Sequence, residues 1–255
     1  MEKLIKFILS TYLNLINRWF PKLGGKHAFL VFCHPFPVKL KKHQQAFLDH
    51  AEQWSTEFEG KKIAGYRWGY GKKKVLCLHG WGSSTYRWKK FVQHLSELDY
   101  TIDAIDAPAH GKSEGTLVNV PKYANLIGQL IEAESYDFIL AHSLGAFSTI
   151  CLFYENENVN VKKIVAMGMP SEAKDFMAFF AEQLKLKPHV IKNFADYFRA
   201  YANKEPDYYS GLKFAEKQRA KGLIIHDVDD DEAPYDYAVK VAKTWPNAEL
   251  MTTEG

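Results

Sequence analysis

The sequence predicts an α/β fold: a mostly parallel, doubly wound sheet with helices on both faces and a helical cap inserted late in the chain. Three observations carry that prediction. Short apolar runs suited to buried strands alternate with helical periodicity from residue 57 onward. The intervening helices are long enough for crossover connections, which parallel strands require. About fifty residues then interrupt the alternation between "VAMGMP" and "KGLII", more than a single crossover needs.

Taken in order, the N-terminal stretch "MEKLIKFILSTYLNLINRWFPKL" places Lys3, Lys6, Ser10, Asn14, Asn17 and Arg18 on one helical face. Leu4, Ile5, Ile8, Leu9, Tyr12, Leu13, Ile16 and Phe20 fill the rest. Polar residues interrupt it too often for a spanning segment, and it lacks the small-residue cleavage site of a signal peptide. The helix is expected either to pack on the domain or a second subunit, or to lie on a membrane surface through residues 1–22. Residues 1–56 are read as this helix and an extension, and 57–255 as the main domain. "TEFEGKKIAGYRWG" alternates on both sides of Gly60, as two antiparallel strands do. Val75–Leu78 is a short apolar strand, and "STYRWKKFVQHLSEL" a helix with Trp88, Phe91, Val92 and Leu95 on one side. "YTIDAID", "YDFILA", "VKKIVAMG", "KGLIIHDV" and "AELMTT" read as strands; "NVPKYANLIGQLIEAE", "LGAFSTICLFYEN" and "YDYAVKVAKTW" read as helices. The insertion, at about 170–215, carries Phe176, Phe179, Phe180, Phe194, Tyr197, Phe198 and Tyr201 at the spacing of two helices punctuated by Pro188.

Composition narrows the function. A formal charge of +3 over 255 residues is too small to mark a nucleic-acid surface, and no basic block accompanies a recognition motif. Cys33, Cys77 and Cys151 are odd in number and form no C-x-x-C pair. Buried reduced thiols in a cytoplasmic protein, peripheral at a membrane if the first helix lies on one, are therefore expected.

Chemistry concentrates at the carboxyl ends of the strands, where open α/β sheets build their sites. Ser143 follows "YDFILA" and precedes a helix, with the small residues Ala141 and Gly145 two positions to either side. A sharp reversal there exposes the hydroxyl and sets the N–H of Leu144 at a helix N-terminus, where developing negative charge is favoured. A serine capping a helix is also common, and S-x-G alone does not separate the two readings.

The neighbouring segments add context. "AHSLGA" resembles the nucleophile elbow G-x-S-x-G of the α/β-hydrolase superfamily, with Ala141 in place of the first glycine. "LHGWGSS" is similar to that superfamily's H-G-x-G loop, and "DAPAHGKS" to its D-x-P-G-H-G-x-S loop. "IIHDVDDDEAPYDYA" resembles the segment bearing its catalytic acid. The resemblance covers roughly residues 57–255 and implies a serine hydrolase acting on a carboxylic ester or related small acyl compound through an acyl-enzyme. Thioester or carbon–carbon bond hydrolysis, perhydrolysis, and a non-catalytic binding or membrane-associated module remain as alternatives.

On that resemblance Ser143 is the nucleophile and Asp230, in register with Pro234, the acid, with Asp227 and Asp231 as rivals. The N–H groups of Trp81 and Leu144 form the oxyanion hole. His79, Gly80, Gly82 and His142 support the loops, and Asp106 and His110 serve loop architecture. Asp230 is expected to turn inward while the other acids of its loop face water. His142 is expected to point away across the turn, and His226 could approach the site. No metal or organic cofactor is implied, and the aromatic cap would roof an apolar substrate. The base in such proteins is a histidine after the last strand, and none of the ten histidines follows Asp230. The expectation is a natural chain that continues to that histidine, with little turnover from the 255 residues alone.

Overall fold

The computed structural model describes residues 2–36 and 38–254; Met1, Pro37 and Gly255 lie outside them. Eight strands form one sheet: β1 (Glu52–Phe58), β2 (Lys61–Trp68), β3 (Lys73–Leu78), β4 (Tyr100–Ile105), β5 (Phe138–His142), β6 (Lys163–Met167), β7 (Lys221–Asp227) and β8 (Ala248–Thr253). The spatial order is β1-β2-β4-β3-β5-β6-β7-β8. β1–β2 and β2–β4 are antiparallel, and every later pair is parallel.

The expected α/β class and every expected strand are present. β1 begins at Glu52, four residues before Thr56, where the sequence pattern places its start. The early residues Glu52, Gln53 and Ser55 are exposed on this edge strand, so they carry little of the apolar alternation that marks a strand.

The helices are α1 (Glu2–Trp19), α2 (Pro21–Cys33), α3 (Lys42–Asp49), α4 (Lys89–Leu95), α5 (Val120–Ala133), α6 (Leu144–Glu155), α7 (Ala173–Gln183), α8 (Pro188–Ala202), α9 (Gly211–Ala215) and α10 (Tyr235–Thr244). Contacts divide the chain into two compact units. One joins residues 1–34 with 172–210; the other holds 35–171 and 211–255. The sequence reading divides the chain at 56/57 instead.

In the sheet unit, Val75, Cys77, Ile102, Ala104 and Leu140 meet Trp88 and Val92 on one face. Phe91, expected on the same side as these two, stays exposed. Leu76, Leu78, Ile139 and Ala141 alternate with that set and are fully buried as well. Both faces of these central strands are thus covered, as parallel sheets require. Asn119 caps α5 by accepting the Lys122 N–H at 3.0 Å, which fixes where that crossover helix starts. α3 settles Leu48 against Ala51, Ala64 and Tyr66 at the antiparallel end.

Across β2, β4 and the end of α5 runs a polar cluster within the core. Asp103 is fully buried and takes two hydrogen bonds from Arg67, at 2.7 and 2.6 Å, and one from the Tyr136 hydroxyl at 3.0 Å. Arg67 reaches on to Glu134, which also binds Lys74. Burial alone disfavours a carboxylate here, and these donors compensate it.

The other unit is an aromatic-cored helical body. Phe29 of α2 packs on Phe194, Tyr197, Phe198 and Tyr201 of α8, while Phe32 meets Phe180 and Phe194. The aromatics of the insertion therefore pack on α2. A Cβ at Gly25 would stand 2.2 Å from the Asn193 carbonyl oxygen, so only glycine lets α2 come this close to α8. α1 meets the insertion through its polar side. Asn14 accepts the Lys187 N–H at 2.9 Å and donates to the Lys185 carbonyl at 3.3 Å; Asn193 donates to the Asn17 side chain at 3.1 Å, and Lys6 to Gln183 at 3.1 Å. The helix packs, then, through a mixed face that buries Leu13 beside these polar groups and leaves Leu4, Phe7, Ile8, Leu15 and Trp19 exposed.

Candidate active site

Between the end of β5 and the start of α6 the chain reverses at one residue. Ser143 adopts φ +50° and ψ −121°, a region that non-glycine residues enter at a cost of about 1–3 kcal/mol. The turn is held from both sides: the Ser143 N–H donates to the Met167 carbonyl at 2.9 Å, and the Phe147 N–H to the Ser143 carbonyl at 3.0 Å. A Cβ at Gly145 would lie 2.5 Å from the Leu78 oxygen, and one at Gly80 would lie 2.6 Å from the Ser143 Cβ. Both positions must be bare, whereas Ala141 is fully buried and its methyl is accommodated. Ser143 is part-exposed. Leu144 opens α6, so its N–H is among those with no acceptor inside the helix.

The loop after β3 is fixed by histidines. His79 is fully buried; its Nε2 accepts the Ala107 N–H at 2.9 Å, which leaves Nδ1–H to donate to the Gly80 oxygen at 2.8 Å. Burial, reinforced by His110, lowers its pKa to about 4, so the ring is neutral. His110 Nε2 accepts the Gly82 N–H at 3.1 Å and its Nδ1 donates to the Pro108 oxygen at 2.9 Å; its pKa is lowered too, chiefly by burial. Trp81, between these two anchored glycines, is exposed and sets its indole edge-on to His110. Asp106, fully buried, accepts the Thr85 and Lys112 N–H groups and the Tyr66 hydroxyl, at 3.0, 2.9 and 3.1 Å. The loops after β3 and β4 are thereby tied into one platform beside Ser143.

The acidic loop after β7 separates its four carboxylates. Asp230 is half-buried: Oδ1 accepts the Glu232 and Ala233 N–H groups at 2.9 and 2.8 Å, while Oδ2 lies 3.7 Å from where a Cβ at Gly168 would stand. Asp227 is engaged by the Thr253 hydroxyl at 2.8 Å and the Asp229 N–H at 3.0 Å. Asp229 and Asp231 are exposed. His226 is buried and donates Nε2–H to the Ala233 oxygen at 2.6 Å, with the same nitrogen 3.7 Å from Asp230.

The profile of the alpha/beta hydrolase fold matches residues 73–224. The chain belongs to the alpha/beta hydrolase family. Over 128 residues it is 27% identical to a pimeloyl-(acyl-carrier protein) methyl ester esterase of Proteus mirabilis (strain HI4320); the match covers 49% of this chain and 46% of that protein, less than half its length. Among solved structures, an esterase of Pyrococcus furiosus superposes with a TM-score of 0.62 at 18% identity, covering 87% of this chain and 90% of that one. The thioesterase domain from the curacin biosynthetic pathway superposes with a TM-score of 0.61 at 16% identity, covering 80% and 93%. At these identities the structural likeness speaks for the hydrolase fold.

Within this hydrolase frame two features were not anticipated. The His142 ring does not leave the site: its Nε2 lies 3.4 Å, and its Nδ1 3.0 Å, from the Cβ positions that Gly168 and Gly80 would carry. Arg87 donates Nη2–H to that Nε2 at 2.6 Å, so the proton of the neutral ring sits on Nδ1, which is buried and has no partner among the described residues. Burial, then the Arg87 guanidinium, lowers the His142 pKa to about 4. Arg87 carries no motif of its own; only its place one turn past the glycine loop could have pointed to it.

Proposed function

We propose that the chain is a serine hydrolase that cleaves a carboxylic ester or related acyl compound through an acyl-enzyme. The observation that carries the reading is the positive φ of Ser143 at the strand–helix bend, against Gly80 and Gly145, which no helix cap needs. Ser143 Oγ attacks the carbonyl carbon. The oxygen, as it gains negative charge, is received by the N–H groups of Trp81 and Leu144, the latter aided by the α6 N-terminus. Asp230, with Oδ1 held by two main-chain donors, keeps Oδ2 for orienting the base. The family's chain order puts that base after β8, and no histidine lies between residues 231 and 255. His79, Gly80, Gly82 and His110 hold the Trp81 loop in shape, with His142 beside it.

Similarity to a methyl ester esterase supports an ester as the scissile group. The test uses the natural full-length protein with a fluorophosphonate probe and parallel panels of esters and thioesters. The expected result is stoichiometric labelling of Ser143, lost in Ser143→Ala, with ester turnover falling at least about a thousand-fold. An unlabelled serine sinks the enzyme reading; faster thioester turnover moves the substrate class and keeps the mechanism.

A further inference from the structure

Helices of globular proteins turn their apolar stripe inward and their polar stripe to water. α1 does so only in part. Its inward side mixes Leu9, Leu13 and Ile16 with Lys6, Ser10, Asn14 and Asn17, and Lys6, Asn14 and Asn17 are hydrogen-bonded to the insertion as described above, while most of its other apolar side chains stay exposed. Asn17 is 1% exposed, whereas Phe7 is 68% and Trp19 71% exposed. Leu4, Ile8 and Leu15 complete an outward ridge with Trp19 at the three- and four-residue spacings of one helix face. Isolated exposed apolar residues are ordinary, but a contiguous ridge of this kind is not.

Charge identifies what covers it. Between residues 3 and 33 the chain carries Lys3, Lys6, Arg18, Lys22 and Lys26 and no Asp or Glu. Lys3, Arg18, Lys22 and Lys26 are exposed, and Arg18 lies over the Trp19 ring. An exposed apolar strip on a segment whose only charged side chains are cations, with aromatic rings at its end, matches an anionic bilayer surface: apolar side chains enter the acyl boundary, rings lie at headgroup level, and cations meet lipid phosphates. A second copy would bring the same cations against these, which disfavours self-association. Among the described residues no helix is long and apolar enough to cross a membrane. We propose that the outward face of α1 is a docking surface for anionic lipid bilayers, with the helix lying in the plane of the interface.

The experiment is co-sedimentation of the full chain with phosphatidylcholine vesicles, with and without phosphatidylglycerol, alongside sedimentation velocity without lipid. The expected result is binding to the anionic vesicles that weakens as salt is raised. Leu15→Ser combined with Trp19→Ser lowers the partition coefficient by at least about ten-fold. Lys22→Gln combined with Lys26→Gln lowers it by about five-fold or more while both variants keep the wild-type melting temperature. No binding to anionic vesicles, or equal binding by the Leu15/Trp19 variant, overturns the proposal. So does a lipid-free dimer that this variant dissociates, since that would assign the face to a second copy.

Discussion

At the scale of single residues, the site depends on positions where one atom more is too many. In Gly145→Ala the added methyl must displace the Leu78 carbonyl, because 2.5 Å is far inside contact distance and the obstacle is backbone. Overpacking of this kind costs about 1–3 kcal/mol, so we expect a lowered midpoint in urea together with lost probe labelling. An unchanged midpoint would show that the turn at Ser143 has room for the added methyl. The buried histidines make a pH prediction. The folded pKa values of His79 and His142 are lowered from 6.5 to about 4, so between those values the unfolded chain binds more protons than the folded one. Their contribution to stability is complete above about pH 6.5 and is lost as pH falls toward 4. Thermal melts should therefore be insensitive to pH above neutrality in this respect and fall progressively below it, with a shallower fall in His79→Gln at its own lower baseline. The bend at Ser143 and the bare positions at Gly80 and Gly145 are legible in the sequence because a sharp turn and a close backbone approach leave residue types little freedom. Arg87 and the inward ring of His142 are not, since a lone side chain carries no spacing to read.

At the scale of elements, the Arg67–Asp103 pair ties β2 to β4 in register, and Glu134 and Tyr136 add the stretch just beyond α5 to it. Arg67→Met removes a partner from a fully buried carboxylate, a loss that typically destabilises by about 3–5 kcal/mol. Equilibrium denaturation should show it; a change within error would mean that Tyr136 alone satisfies Asp103. Most of the sheet and its helices could be read from apolar periodicity, because each is buried on a face of regular spacing. α2 and α3 could not. α2 holds Gly24 and Gly25, which disfavour a free helix, and its helicity rests on the aromatic packing of Phe29 and Phe32 that no local pattern discloses. The direction of α1 escaped for a related reason: periodicity shows that a helix has two faces, and only the asparagine contacts with residues 185–193 show which one is inside.

At the scale of the molecule, sequence order and spatial partnership part company. Strand succession gave the sheet its parallel order, since each crossover joins near neighbours in the chain. The union of residues 1–34 with 172–210 joins segments well over a hundred positions apart, and nothing in either reveals the other. That separation acts during synthesis. α1 and α2 are made well before the helices that receive them, which follow only after most of the sheet has been translated. Until then Phe29 and Phe32 lack the rings of α7 and α8 that they pack against, and transiently exposed apolar surface of this kind favours association of the nascent segment. In pulse-labelled refolding, amides of α2 should gain protection together with those of α8 and not before them. Early independent protection of α2 would mean that it folds without the later helices.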